Sequence, residues 1–326
     1  NKTKNTMQRF KHPTLHIGIS ACLTGKPVRY NGGKAKFELH QTLKTMATIT
    51  TVCPEVSIGL GVPRPVIKLM EHEHQIHLVD SKQNDIDHTE KMISFANQYL
   101  DSLDPTINGF IVKRGSPSCA LHDAKVSASN GQHTLGKQSG LFTQRLLERH
   151  PHLPVEDEGR LNDTLLRENF FQRIYIDARW KQTLESLTAQ SLLDFHQRHK
   201  LLIMSHSPAA VSELGKKLAD LHNQTELLVI ANEYYSSLYQ VLKTPAKRRR
   251  ITTVLQHAAG YLKKCLSSEE RQSLAELILE YHDEKTPLLS VITLLGHFID
   301  KYDISYLKNQ YFLEPYPNEL RLRLGI

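Results

Sequence analysis

The sequence predicts a two-domain protein in which an α/β domain with a mostly parallel sheet precedes an all-helical domain. Short apolar runs alternate with helical patterns in the first half of the chain, which is typical of βαβ units. Beyond Asp163 nearly every segment has the 3.6-residue spacing of helices. A length of 326 residues also favours two cores over one. We therefore place the domains at residues 1–160 and 161–326.

In the first domain, β-branched and apolar runs predict the strands and amphipathic spacing predicts the helices. The predicted strands are Leu15–Ser20, Ile49–Val52, Val66–Leu69, Gln75–Val79 and Ile107–Lys113, and the predicted helices are Ala35–Met46, His88–Leu103 and Ser139–His150. Residues 66–79 fit an added hairpin or edge strands. The acidic segment from Pro151 to Asp163 is predicted to close the domain as an irregular stretch.

The second domain is predicted to be helical throughout. Its expected helices cover residues 163–198, 207–222, 225–243, 250–265, 267–284, 288–301 and 303–309.

Composition limits the possible functions. The net charge of +7 weakly favours an anionic partner such as nucleic acid. No apolar run approaches the ~20 residues that span a bilayer, and no apolar leader is evident, so we expect a cytoplasmic protein without a membrane partner. The cytosol keeps thiols reduced, so the four cysteines point to metal binding or catalysis more than to disulfides.

Three of the four cysteines follow separate predicted strands. Cys22, Cys53 and Cys119 each come at a strand's carboxyl end or in the loop after it. Ligands of open α/β sheets bind outside the carboxyl ends of the strands, and parallel strands bring those ends together. We therefore expect the three thiols to meet at one site, whereas Cys265 falls in a helical pattern and is interpreted as structural.

The spacing of these cysteines leaves two metal centres open. Three thiolates can hold a [4Fe–4S] cluster with one iron free of protein ligands, and three thiolates with a histidine can hold zinc. Small buried hydrophobes are the plain alternative for free cysteines. Loops rich in glycine and proline lie beside the cysteines, at Tyr30–Gly33 and Gly59–Pro65, and suit close backbone approach to a ligand.

The motifs around the cysteines resemble those of the thiouracil desulfurase family. The matching segments, in chain order, are Ile19–Gly25, Val28–Gly33, Cys53–Val56, Pro63–Pro65 and Ser116–Cys119. The resemblance covers roughly residues 13–160. It departs at Ala120, where the family usually has glycine.

The second half resembles a helical domain of formerly unknown function that is often fused to this desulfurase domain. The matching segments are Met204–Pro208, Val254–His257, Gly260–Lys264, Leu294–Phe298 and Asn309–Tyr311. Here Lys247–Arg250 replaces a stretch that usually contains Gly-Lys.

The resemblance implies an enzyme with a [4Fe–4S] cluster held by Cys22, Cys53 and Cys119. It implies non-redox removal of sulfur from a thiolated pyrimidine, with a thiophilic open iron as the Lewis acid. Fused proteins of this kind are associated with 4-thiouridine in tRNA, so we expect tRNA as the partner. A desulfurase of free thiouracil-type bases and a non-enzymatic, cluster-bearing RNA-binding or sensor protein are the alternatives.

Around the predicted cluster, several side chains are candidates for catalysis and substrate binding. Glu55 is the first choice for a proton carrier, although capping a helix or pairing with Arg64 is nearly as plausible. Ser116 and Ser118 flank Cys119 and are candidates to orient water or substrate. The expected substrate-binding residues are Ser20, Arg29, Asn31, Arg64 and Lys113.

A basic run in the helical domain is the expected tRNA contact. Lys243 and the consecutive Lys247, Arg248, Arg249 and Arg250 lie near a predicted helix start, where phosphate is favoured. The alternative is a solvated run of charge.

Overall fold

The computed structural model describes residues 9–129, 133–219, 226–320 and 322–324. The chain forms two compact units. One extends from Thr14 to Asp163, and the other combines the helices from Thr164 onward with the segment that ends at Pro13. An α/β unit and a helical unit confirm the predicted fold class.

The α/β unit contains the strands of two four-stranded sheets. The strands are β1 (Leu15–Ser20), β2 (Ala47–Val52), β3 (Ile67–His72), β4 (Gln75–Asp80), β5 (Gly109–Val112), β6 (Ala124–Ala128), β7 (Thr134–Gln138) and β8 (Val155–Asp157). The first sheet has the order β2-β1-β5-β8, and all of its pairs are parallel. The second has the order β4-β3-β6-β7, with a parallel β3–β6 pair between two antiparallel pairs.

The helices of this unit are α1 (Leu39–Met46), α2 (Pro54–Ser57), α3 (Thr89–Asp101) and α4 (Leu141–Arg149). Three of them match predictions, and α1 begins four residues later than its pattern suggested. The core of the unit includes Phe110 and Phe142, both fully buried.

Two parts of the unit differ from the prediction. The predicted hairpin strands are present as β3 and β4, but they join β6 and β7 in a second sheet that was not predicted. The segment from Pro151 to Asp163, predicted as irregular, contains β8. Two of its carboxylates are satisfied locally, since Glu156 pairs with Arg160 at 2.7 Å and Asp157 accepts the Arg160 amide at 2.8 Å. The strand itself is buried beside β5.

The helical unit contains α5 (Thr164–Glu185), α6 (Ala189–His206), α7 (Pro208–Lys217), α8 (Leu227–Leu242), α9 (Arg248–Leu262), α10 (Ser268–His282), α11 (Leu288–Lys301) and α12 (Ser305–Lys308). The single helix predicted over 163–198 is wrong. It divides before α6 because Thr188 starts a new helix with a capping box, in which the side chains of Thr188 and Ser191 each accept the other's backbone N–H. Parts of the helices predicted over 207–222 and 225–243 lie outside the described residues.

The segment before residue 14 contacts the helical unit, although the predicted boundary grouped it with the α/β domain. The carboxylate of Glu314 accepts the backbone amides of Arg9 at 3.0 Å and Phe10 at 3.3 Å. It also pairs with the ring of His12 at 3.0 Å. One buried carboxylate thus anchors three residues of the segment.

In the described parts of the chain, no helix is both long and apolar enough to cross a bilayer.

We expect Gly18→Ala to destabilise the α/β unit. Gly18 lies in β1 opposite Phe110, and an added Cβ would stand 2.2 Å from that ring. Overpacking of this kind typically costs about 1–3 kcal/mol. Urea denaturation followed by circular dichroism measures the loss.

Gly136→Ala in β7 is the matched control, because a Cβ there meets no atom within 4 Å. Equal unfolding midpoints for the two variants would contradict tight packing of Phe110 against β1.

Candidate functional site

The carboxyl ends of three parallel strands meet at one edge of the first sheet. Ser20 at the end of β1 is level with Val52 at the end of β2, and Ile19 is level with Ile111 in β5. Cys22 follows β1 within a short 3-10 helix, Ala21–Thr24, and Cys53 directly follows β2 as the N-cap of α2. Cys119 stands in the loop after β5. Strand topology therefore positions all three thiols.

These ends enclose a cavity of about 250 Å³. Its wall includes Ser20, Cys22, Arg29, Tyr30, Cys53, Glu55, Arg64, Lys113, Arg114, Ser116, Ser118 and Cys119. Cys119 is buried and the other two cysteines are half-buried, whereas Cys265 is exposed in the helical unit.

Burial keeps the three thiols protonated at neutral pH when no metal is bound. Burial raises the pKa of Cys22 to about 11, with a further contribution from the charge of Cys53. Burial likewise raises the pKa of Cys53. It raises that of Cys119 further, helped by the negative charge of Glu55. A coordinated metal deprotonates such thiols outright, so metal binding here releases protons.

Glu55 lies at the centre of a hydrogen-bond network in the cavity wall. Its Oε2 accepts from Arg64 Nη2 at 2.6 Å and Nε at 2.8 Å. Its Oε1 accepts from Ser118 Oγ at 2.6 Å and, less closely, from Ser116 Oγ at 3.3 Å. Of the alternatives for this residue, the structure shows the pair with Arg64, and the carboxylate also contacts both candidate serines.

Arg64 connects two loops to this carboxylate. Its Nη1 donates to the carbonyl oxygens of Val28 at 2.9 Å and Gly61 at 3.1 Å. The side chain is only 3% exposed, and its donors face protein acceptors. Arg64 lines the cavity as predicted for a substrate-binding residue, but its visible contacts organise the wall.

The three serines on the wall surround Cys119. Ser20 is buried, lowers the pKa of Cys119 slightly against the larger effect of burial, and accepts the Lys113 amide at 3.1 Å. Ser116 Oγ accepts the Cys119 amide at 3.1 Å and lies 3.0 Å from Ser118 Oγ. Ser118 Oγ is 3.8 Å from the Cys119 sulfur.

The remaining predicted substrate-binding residues differ in their positions. Arg29 is half-buried on the wall, with its guanidinium 5.8 Å from the Tyr30 ring. Lys113 is on the wall but pairs with Glu158. Asn31 is absent from the described wall, because its side chain accepts the Gly33 amide at 3.0 Å and closes the turn.

Sequence reasoning missed the role of one residue on the wall and of one behind it. Tyr30 lines the cavity, beside residues that the motifs had singled out. Thr143 is fully buried in α4 and donates to the Cys119 carbonyl at 2.6 Å. No motif in the sequence indicated this contact, because Thr143 lies in a helix that is distant from Cys119 along the chain.

The basic run of the helical unit lies where α8 ends and α9 begins. Arg248 donates to the Tyr281 carbonyl at 2.7 Å, and Arg250 donates to the His206 carbonyl. Lys243 lies 5.7 Å from the Tyr239 ring. Lys247 and Arg249 are exposed. Part of the run is therefore engaged in holding the unit together.

The fold and cavity together define a two-domain protein with a thiol-lined site at the strand ends of an α/β unit. The model of the 2-thiouracil desulfurase family matches residues 17–158, and that of a protein family of unknown function, DUF1722, matches residues 200–317. The chain belongs to the family of proteins that joins these two domains.

A relative and a solved structure resemble parts of the chain. The uncharacterized protein YbgA of Escherichia coli strain K12 is 36% identical over 137 residues, which is 42% of this chain and 81% of YbgA. The solved structure is a [4Fe-4S]-dependent thiouracil desulfidase, TudS, with 27% identity over 45% of this chain and 93% of its own, at a TM-score of 0.33.

We expect Arg64→Met to destabilise the α/β unit by about 3–5 kcal/mol, because it leaves the Glu55 carboxylate charged and unpaired inside the wall. The exposed pair of Lys36 and Glu38, at 2.8 Å, provides the control, and Lys36→Met should leave stability unchanged. Urea denaturation of both variants measures the change in the free energy of unfolding. An Arg64→Met protein as stable as the parent would show that the ion pair does not hold these loops.

Proposed function

We propose that this protein removes sulfur from a thiolated pyrimidine at a [4Fe–4S] cluster held by Cys22, Cys53 and Cys119, and that its substrate is 4-thiouridine in tRNA. The observation that carries the proposal is the arrangement of three buried or half-buried thiols around one cavity. Thiolates are the usual ligands of iron–sulfur clusters. The family's description names 2-thiouracil desulfurase chemistry.

The donor set fits a cluster better than zinc. Among the described residues, no group of three His, Cys, Asp or Glu side chains is placed to hold one metal ion, and the described wall contains no histidine. Structural zinc requires four close tetrahedral ligands. Thiols spread around a cavity suit a larger, multi-atom group, and three of them leave one cluster iron without a protein ligand.

When bound, the cluster supplies a thiophilic Lewis acid that polarises the carbon–sulfur bond. The overall reaction exchanges C=S for C=O with one water and releases hydrogen sulfide. Because the oxidation states balance, no external electron donor is required.

The protein's own groups suit the proton transfers of this hydrolysis. The attacking water must lose a proton, and Glu55 is the acceptor that the wall presents. Arg64 holds one carboxylate oxygen, while the other accepts from Ser118 at 2.6 Å. Ser118 also lies 3.0 Å from Ser116. A proton from water can therefore reach Glu55 through a serine hydroxyl, and can pass from there to the departing sulfide.

The size and rim of the cavity support a base presented on a longer chain. At about 250 Å³ the cavity is smaller than the roughly 300–1,000 Å³ of most ligand pockets, so beside a cluster it could admit no more than a single base. A base in folded RNA must leave its stack to enter such a site. Tyr30 is 42% exposed at this rim beside Arg29, and an aromatic ring with a cation suits stacking on a flanking base.

The free thiobase remains the second candidate, since the family's description names 2-thiouracil. Anaerobic assays of sulfide release from 4-thiouridine tRNA and from free 2- and 4-thiouracil distinguish the two. A protein that binds iron but releases no sulfide from any of them would favour the cluster-bearing sensor.

Reduced thiols at the site also fit the proposed cytoplasmic location.

Cys53→Ser should lose both iron and turnover. Serine is a poor iron ligand beside thiolates, and two cysteines should not retain a stable cluster. Cys265→Ser is the control, since this thiol is exposed in the other unit, and it should keep both properties. Iron is counted by colorimetry on anaerobically purified protein. Full iron content in the Cys53→Ser protein would overturn the assigned ligand set.

Glu55→Gln should keep the cluster and lose turnover by about 10²–10⁴-fold, the usual contribution of a general acid–base group. Glu38→Gln, at an exposed carboxylate, should behave as the parent. Single-turnover sulfide release is compared at equal iron content, and the unfolding midpoint reports separately on the lost charge pair. Turnover within about threefold of the parent, far short of a general acid–base loss, would exclude Glu55 as the proton carrier.

Lys247→Glu combined with Arg249→Glu should weaken tRNA binding and leave turnover of free thiobases intact. These two side chains are exposed, so their loss spares the contacts of Arg248 and Arg250. Each lost phosphate contact lowers the log–log salt slope by about 0.7–0.9. Lys216→Glu combined with Lys217→Glu on α7 is the control. An unchanged slope in the α9 variant would place the RNA surface elsewhere.

A further inference from the structure

The helical unit contains a second, larger cavity that the proposed desulfuration does not use. Its volume is about 1090 Å³, and its wall includes Arg9, Lys11, Arg198, Lys308, Tyr311 and Glu314. Pockets for small ligands usually measure roughly 300–1,000 Å³. The space is therefore ample for a ligand of nucleotide size.

The acidic groups of this wall are already neutralised. Asp300 pairs with Arg9 at 3.0 Å. Glu314 accepts from His12 and from the amides of Arg9 and Phe10. Lys308 pairs with the exposed Asp303 at 2.6 Å.

Two cations on the wall lack such partners. Within the described residues, neither Lys11 nor Arg198 has a hydrogen-bond acceptor or an ion pair. Arg198 is held by rings, since its guanidinium lies 4.4 Å from the Tyr311 ring centroid and 5.6 Å from that of Phe10. Its Nε is buried without a partner. A guanidinium held in this way has its two terminal nitrogens available to donate to a ligand.

A second arginine, Arg179, also has buried donors without acceptors. Its guanidinium lies 3.8 Å from the Tyr311 ring centroid, and its Nε and Nη1 have no partner among the described residues. Burial lowers the pKa of Arg179 to about 10, yet the side chain remains charged at neutral pH. Buried donors without acceptors are costly, so the region carries positive charge that an anion would stabilise.

We infer that this cavity binds the phosphate group of a phosphate-bearing ligand, with Arg198 as the principal contact and Lys11 as a second. A planar guanidinium matches two phosphate oxygens at once, and a lysine adds a point charge. A phosphodiester of bound RNA and a free phosphate ester offer the same chemistry. The site lies in the helical unit and requires neither cluster nor thiobase, so it does not depend on the proposed activity.

The test uses the full chain and two probes, inorganic phosphate and an unmodified RNA oligonucleotide, at constant ionic strength. Isothermal titration calorimetry follows the first probe and fluorescence anisotropy the second. Arg198→Gln should weaken binding about tenfold, the loss typical of a charge-assisted hydrogen-bonded pair, and Arg198→Lys should restore part of it. Lys11→Gln should weaken it about threefold, as expected for an exposed charge.

Lys264→Gln is the matched control for Lys11→Gln, because it removes the same charge from the same unit outside the cavity wall. If the protein binds inorganic phosphate saturably and Arg198→Gln weakens that binding, the ligand is a free phosphate group. If Arg198→Gln weakens only the binding of RNA, the ligand is the RNA phosphodiester backbone. If Arg198→Gln fails to fold, the comparison of Lys11→Gln with Lys264→Gln tests whether the cavity binds phosphate. The inference is overturned if neither probe saturates, or if the cavity variants bind as the parent and the Lys264→Gln protein do.

Discussion

The ion pair between Glu55 and Arg64 is the interaction on which the thiol-lined cavity depends. Glu55 lies in α2, directly after Cys53, so the pair joins this helix to the loop that carries Arg64. Arg64 in turn donates to the carbonyl oxygens of Val28 and Gly61. Through Ser116 and Ser118 the same carboxylate reaches the loop of Cys119. Each of these segments comes from a different part of the chain. Because the pair is nearly buried, losing either partner leaves a charge without compensation.

This arrangement places three thiols and one carboxylate among several cations around one small space. The charge of Glu55 contributes to the raised pKa values of Cys53 and Cys119, after burial, and the charge of Cys53 contributes to that of Cys22. Without a bound group, the cavity therefore disfavours free thiolates, and a metal centre held here would have to displace their protons.

The helical unit carries a cluster of buried positive charge. Arg179 and Arg198 both lie against the Tyr311 ring, while the carboxylate of Glu314 is occupied by His12 and by two backbone amides. Positive charge without counter-charge suits an anionic ligand. The two units thus present different chemistry on one chain, a cavity lined by thiols and a cavity lined by cations.

Periodicity determined most helices, and the apolar runs ending in Cys22 and Cys53 determined two neighbouring parallel strands and their thiols, because local spacing encodes which face is buried. It did not reveal β6, β7 or β8, whose short runs become strands only through pairing with β3, β6 and β5 respectively. It also did not separate Asn31, which closes a turn, from Arg29, which lines the cavity. Likewise, Arg248 and Arg250 belong to one basic run but bind carbonyls of distant helices. Side-chain partners far apart in sequence are decided by tertiary packing alone, since no local pattern records which groups the fold brings within hydrogen-bonding distance.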